Sequence, residues 1–297
     1  MAIVEVNKLT KLYKGNVGIK NVSFDVNEGE TFGFIGPNGA GKSTTIRTLF
    51  NFIYPTSGSA KIFGKDIVTE SKEIRKHIGY LPSEVHYYEN MKVEELLSYS
   101  MKFYKVNNTK RMIELAERLD LDLKRKIEDL SFGNRKKVGI VQALIHEPKL
   151  LIMDEPTGGL DPLMQNEFYE ILAEEKAKGT TIFFSSHILS EVQQTCDRVA
   201  IIKDGEIVAV ETIENLIKNS VKTVTLTLKE PENISLEIEG VLKEEVHGQR
   251  LSVLYQGNMK HLLNELNRVD FDDILIEEPS LEDVFLHYYE KDGGLES

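Results

Sequence analysis

A chain of 297 residues is long enough for about two domains with full hydrophobic cores, so it needs neither disulfides nor a structural metal for stability. A formal net charge of −12 and a pI near 5.2 exclude the basic footprint of a nucleic-acid binder, and the single cysteine, Cys196, has no partner for an internal bridge, as suits a reducing compartment. There is no apolar run of about 18 residues, and the opening Met-Ala-Ile-Val-Glu lacks a signal-peptide pattern, so any membrane task is expected to fall to another chain.

Taken in order, residues 3–9 and 22–26 alternate apolar and polar side chains and predict half-buried antiparallel strands, with Tyr13 on a polar loop between them. Phe32 to Ile35 is an apolar strand that runs straight into Gly36-Pro37-Asn38-Gly39-Ala40-Gly41-Lys42-Ser43-Thr44. That spacing, Gly-x-x-x-x-Gly-Lys-Ser, is the Walker A phosphate loop, whose small residues let consecutive N–H groups face an oligophosphate. Lys42 adds a mobile charge, and Ser43 opens a helix where its hydroxyl can reach Mg²⁺. Ser59 to Phe63 with Gly64-Lys65-Asp66 predicts another strand and turn, and Ile78 to Leu81 a strand stopped by Pro82.

From Lys92 to about His146 the apolar spacing turns helical, predicting an inserted helical subdomain over about 84–146 with Lys124-Arg125-Lys126 as a solvated face. Within it, Ser131 and Gly133 stand at the entrance to a helix over Arg135 to Ile145, where backbone N–H groups can meet an anion and where an ordinary N-cap is the simpler alternative. Leu150 to Asp154-Glu155 and Thr181 to Ser186-His187 are apolar runs ending in polar groups, the pattern of buried parallel strands delivering side chains to one sheet edge. Asp204-Gly205 marks a tight hairpin. After about Asn219 a second alternating pattern predicts a small α+β domain over 221–297, with strands near 222–228, 234–239, 251–255 and 272–277, a helix near 258–267, and a last helix from Ser280.

In sequence order, Gly36 to Thr45, Leu130-Ser131-Phe132-Gly133-Asn134, Leu150 to Glu155, Gly159-Leu160-Asp161 and His187 resemble the full motif set of ATP-binding cassette ATPases over about residues 1–220. The ending Glu278 to Phe285 is similar to the separately encoded nucleotide-binding subunits of bacterial bacitracin-resistance and multidrug exporters. The resemblance implies an α/β fold: a P-loop NTPase (RecA-like) core with an antiparallel β subdomain and the inserted helices. It implies that Tyr13 stacks on adenine, that residues 36–44 cradle the phosphates, and that Ser43 and Asp154 serve Mg²⁺. Glu155 would be the general base and His187 a γ-phosphate contact, while Ser131 and Gly133 complete the site of an opposite subunit and Asp161 touches that partner. The expected protein is therefore an ATPase of the cytoplasm, peripheral on the inner face of the membrane, working as a homo- or heterodimer with a membrane permease.

Several positions depart from the family pattern. Ser83 replaces the usual glutamine, which suggests a water-mediated contact or a substitute role for Glu84; Phe132 and Asn134 alter the signature, and Gly158 stands where serine is frequent. None removes the base, the metal ligand or the lysine, so an active ATPase is expected. The resemblance places permease docking on the segment 84–94, where Tyr87 and Tyr88 suit either an interface, if exposed, or core packing. A soluble cassette ATPase acting on ribosomes or DNA, or an ATP-gated regulator with little turnover, are the rival readings.

Overall fold

The computed structural model describes residues 1–218, 222–229 and 239–277. It divides into two compact units, Met1–Glu211 and Thr212–Ser297.

The first unit opens with two long strands, β1 (Ala2–Tyr13) and β2 (Asn16–Asn27), joined by a short turn and paired antiparallel. β3 (Thr31–Ile35) leads into α1 (Lys42–Leu49), and β4 (Ser57–Ile62) and β5 (Lys65–Asp66) return to the first sheet, giving the order β2-β1-β4-β5. α2 (Ser71–Arg75) and β6 (Ile78–Leu81) precede the helical insertion, which consists of α3 (Val93–Tyr104), α4 (Thr109–Arg118) and α5 (Phe132–Leu144). The core resumes with β7 (Leu150–Asp154), α6 (Pro162–Ala177), β8 (Thr181–Ser186), α7 (Leu189–Thr195), β9 (Arg198–Lys203) and β10 (Glu206–Thr212).

The central sheet has the order β10-β9-β3-β8-β7-β6, and β9, β3, β8, β7 and β6 run parallel. β3, β7 and β8 are buried at every residue, which is why they read as unbroken apolar runs. Between the two sheets Phe24, Phe32, Phe34 and Phe183 stack with ring centroids 5.3–5.9 Å apart. A buried ion pair, Arg111 of α4 with Glu175 of α6, ties the helical insertion to the core.

The second unit contains α8 (Ile213–Lys218), β11 (Lys222–Leu228), β12 (Val241–His247), β13 (Arg250–Tyr255), α9 (Met259–Leu266) and β14 (Phe271–Glu277). Its antiparallel sheet has the order β12-β13-β11-β14, and Val224, Leu226, Leu251 and Val253 form a core with Leu262 and Leu266 of α9. Alternation correctly marks β11, β13 and β14. β12 was not anticipated, because Val241-Leu-Lys-Glu-Glu-Val-His has no clean alternation, as an edge strand allows. Apart from Glu239, the strand expected at 234–239 lies outside the described residues, as does the helix expected from Ser280.

Candidate functional site

Sheet register decides which side chains meet. Ile35 pairs with Ser186, and Asp154 pairs with Ser185. The next residues along, Gly36, Glu155 and His187, therefore leave the carboxyl ends of three neighbouring parallel strands at a single rim, where α/β sheets collect their ligands.

The loop after β3 is shaped by its glycines. Gly41 caps α1 at φ 110°, a left-handed conformation that a β-carbon would strain. The Ala40 N–H closes a turn on the Pro37 carbonyl (3.2 Å), and the Ala40 carbonyl accepts the Gly205 N–H (3.0 Å) from the β9–β10 hairpin. Lys42 is buried, and its Nζ donates to the carbonyls of Gly36 (2.7 Å) and Pro37 (3.2 Å) and lies 3.4 Å from Glu155 Oε1. Glu155 Oε1 is also 3.2 Å from His187 Nδ1. Glu155 itself sits at φ 47°, an uncommon conformation for a non-glycine residue.

Neighbouring side chains fix these groups. Ser185 Oγ donates to Asp154 Oδ1 at 2.6 Å, both residues being almost wholly buried. Buried Glu191 of α7 accepts from Ser186 Oγ (2.8 Å) and from Thr157 Oγ1, pinning the end of β8 to the loop that follows Glu155. Tyr80 of β6 has its phenol pushed up to about 12 by burial, with the charge of Asp154 adding to the effect.

Tyr13 is the last residue of β1 rather than part of a loop, and remains 46% exposed. Its ring packs on Gly18, where a β-carbon would lie 2.6 Å from Tyr13 Cε2 and 3.1 Å from Thr44 Cγ2, so the tyrosine stands beside the phosphate loop. Ser131 and Asp161 are both N-caps: Ser131 Oγ accepts from Asn134 N (3.3 Å) and Asp161 Oδ1 from Met164 N (3.1 Å). Gly133 lies against the Gly159 carbonyl, and Phe132 packs on Gly159, so the signature segment adjoins the loop holding Asp161. Glu84 is 77% exposed beside His86 and points to solvent. What stands at the Ser83 corner instead is Lys136 of α5, whose ammonium donates to the carbonyls of Pro82 (3.1 Å) and Ser83 (3.0 Å). Gly18, Glu191 and Lys136 have no mark in the sequence, since each acts through space and none belongs to a local pattern; Ser185 lies in the polar end of the Thr181–Ser186 run, but its contact with Asp154 is set by sheet register.

The donor set fits a hard divalent ion. Ser43 offers a hydroxyl at the start of α1, and Asp154 a carboxylate oriented by Ser185. Among the described residues no cluster of three or more His, Cys, Asp or Glu could hold a metal ion by itself.

A phosphate loop, a strand-end carboxylate pair and a histidine on one rim of a parallel sheet define a P-loop nucleoside triphosphatase. Residues 19–158 match the family described as ABC transporter. The chain is 34% identical to the bacitracin transport ATP-binding protein BcrA of Bacillus licheniformis over 96% of both chains. It is 36% identical to the linearmycin resistance ATP-binding protein LnrL of Bacillus subtilis, over 72% of this chain and 70% of that one. Among solved structures, the ATP-binding subunit of an ABC transporter superposes with a TM-score of 0.69 at 33% identity, covering 72% of this chain and 91% of that one. A bacterial ABC transporter cassette solved as a dimer gives 0.66 at 25% identity, covering 71% and 98%. The chain belongs to the ABC transporter ATP-binding protein family and is an ATP-binding, ATP-hydrolysing subunit of that class.

Proposed function

We propose that this subunit binds Mg²⁺ and ATP on residues 36–44, closes against a second nucleotide-binding subunit, and drives export through a membrane permease from the inner face of the membrane. Among the described residues no helix is long and apolar enough to cross a membrane, so the reading places the spanning element in the permease. The relatives named for bacitracin transport and linearmycin resistance support a resistance exporter.

The roles follow from the rim. Tyr13 stacks on the adenine, and the N–H groups of residues 36–44 face the phosphates, with Lys42 exchanging its two carbonyl partners for β- and γ-phosphate oxygens. Ser43 and Asp154 hold Mg²⁺, which when bound neutralises phosphate charge. Glu155 accepts a proton from the attacking water while the water oxygen bonds to the γ-phosphorus and the bond to the bridging oxygen breaks; His187, already 3.2 Å from Glu155, holds the γ-phosphate and that water in line. Ser131 and Gly133, at the N-terminus of a 13-residue helix, are presented to the nucleotide of the opposite subunit, with Asp161 on the same interface. The permease docks on the groove of about 410 Å³ lined by Tyr88, Tyr99 and Phe103, three aromatic side chains between 59% and 75% exposed.

The observation that carries this reading is the chain of contacts from Lys42 through Glu155 to His187. Glu155→Gln tests it: ATP turnover should fall by about 100-fold or more, and light scattering with ATP and Mg²⁺ should show a dimer. Wild-type turnover, or a monomer under those conditions, refutes it.

A further inference from the structure

Lys136 is a cation where packing alone would place an apolar residue. It is 0% exposed, and no salt bridge to it occurs among the described residues. Burying an ammonium without a counter-ion is costly, and desolvation pulls its pKa down to about 8 even though Asp154 and Glu155 lie close enough to oppose the shift. A methionine would fill the same volume without that cost.

Its two acceptors explain its presence. The parallel register of β6 with β7 pairs Leu81 with Met153, so Pro82 and Ser83 leave the sheet beside Asp154 and Glu155. Lys136 holds both of these carbonyls. One turn further along α5, Gly139 packs so closely that a β-carbon there would lie 2.6 Å from Leu81 Cδ1 and 3.2 Å from Val85 Cγ1. The helix that begins at Ser131 is thus fastened along one face to the corner that runs from the rim into the segment 84–94.

We infer that Lys136 is a positioning residue for ATP hydrolysis, holding the Pro82–Ser83 corner beside Asp154 and Glu155 and tying the signature helix to it. The corner's own side chain at Ser83 is too short to do this, and Glu84 faces solvent. The inference rests on the roles given above to Asp154 and Glu155.

The test uses the full chain with Mg²⁺ and ATP, comparing Lys136→Met, which keeps volume but loses charge and donors, with Lys136→Gln, which keeps a donor. Each is read by steady-state kinetics, by binding of a fluorescent ATP analogue and by thermal melting. Lys136→Met should leave KM and analogue affinity within about threefold of wild type and lower kcat about tenfold or more, since a small misplacement of the reacting groups is costly. Lys136→Gln should lose about three- to tenfold in kcat at unchanged KM. A kcat within about twofold of wild type in a folded variant overturns the inference. So does a loss of analogue affinity as large as the loss of kcat, which is what general loosening of the fold gives. If Lys136→Met melts below the assay temperature, Lys136→Gln decides alone by the same criteria. Glu155→Gln is run alongside: a turnover there equal to wild type overturns the site reading, whereas an inactive Glu155→Gln beside fully active Lys136 variants overturns only the role of Lys136.

Discussion

Replacing Ser185 by alanine isolates one hydrogen bond at the heart of the site. Its hydroxyl donates to Asp154 Oδ1 at 2.6 Å, with serine and aspartate 0% and 1% exposed. The same oxygen is 3.3 Å from the Glu155 N–H, but that N–H also reaches the Ser185 carbonyl at 3.1 Å and keeps a partner in the variant. The loss therefore falls on Asp154, a buried carboxylate deprived of a charge-assisted bond worth about 1.5–3 kcal/mol. Unfolding in urea at neutral pH should show a decrease of about 2 kcal/mol, and the melting temperature of the nucleotide-free protein should drop by roughly 5 °C. Turnover should fall by about 10- to 100-fold, the usual effect of releasing a metal ligand from the group that orients it. A variant with wild-type kcat and wild-type melting temperature would refute the claim that Ser185 orients Asp154.

Three further outcomes are expected. Arg111→Met strands Glu175, which among the described residues keeps Lys178 at 2.8 Å as its other cation, so stability measured by urea unfolding should fall by about 2–3 kcal/mol, and adding Glu175→Leu should restore most of it. His146, stacked on Tyr104 at 3.7 Å and bonded through Nε2 to the Ile78 carbonyl, is held down to about 4 from 6.5 by burial. Because the unfolded chain takes up that proton first as pH falls, about 3 kcal/mol of stability should be lost between pH 6.5 and 4, and this part of the slope should vanish in His146→Phe. Gly18→Val displaces Tyr13 from beside Thr44 and should weaken binding of a fluorescent ATP analogue about tenfold, a result that an unchanged titration would contradict.

The rim was legible because each of its motifs closes an apolar run. Phe32 to Ile35, Leu150 to Met153 and Thr181 to Phe184 are buried throughout, and the polar residues after them have only one direction in which to emerge. Lengths were harder to read. β1 reaches Tyr13 only because register shifts at Val6, Leu9 and Lys11 absorb the break in alternation at Asn7-Lys8, where Lys8 adopts φ 47°. α6 carries readable signals, with Asp161 before Pro162 and apolar Phe168, Ile171 and Leu172 on one face. Lys136 sits in Arg135-Lys136-Lys137 and looks in sequence like part of a solvated helix face. Only the packing of α5 on β6 turns that position inward.

The contacts of Lys42 also bear on the proposed division of roles at the site. Lys42 is 5% exposed, and its ammonium is held by Gly36, Pro37 and Glu155, while Glu155 is shared with His187. On the roles proposed here, the base and the phosphate-binding cation neutralise one another until a phosphate competes for the lysine. A triphosphate offers denser negative charge than a single carboxylate, so the lysine transfers to it and the carboxylate is released toward water. Glu155 holds its uncommon φ of 47° at the end of β7, beside a loop that the Thr157–Glu191 and Ser186–Glu191 bonds tie to β8. The Phe132–Gly159 contact places the signature segment next to the loop that follows Glu155.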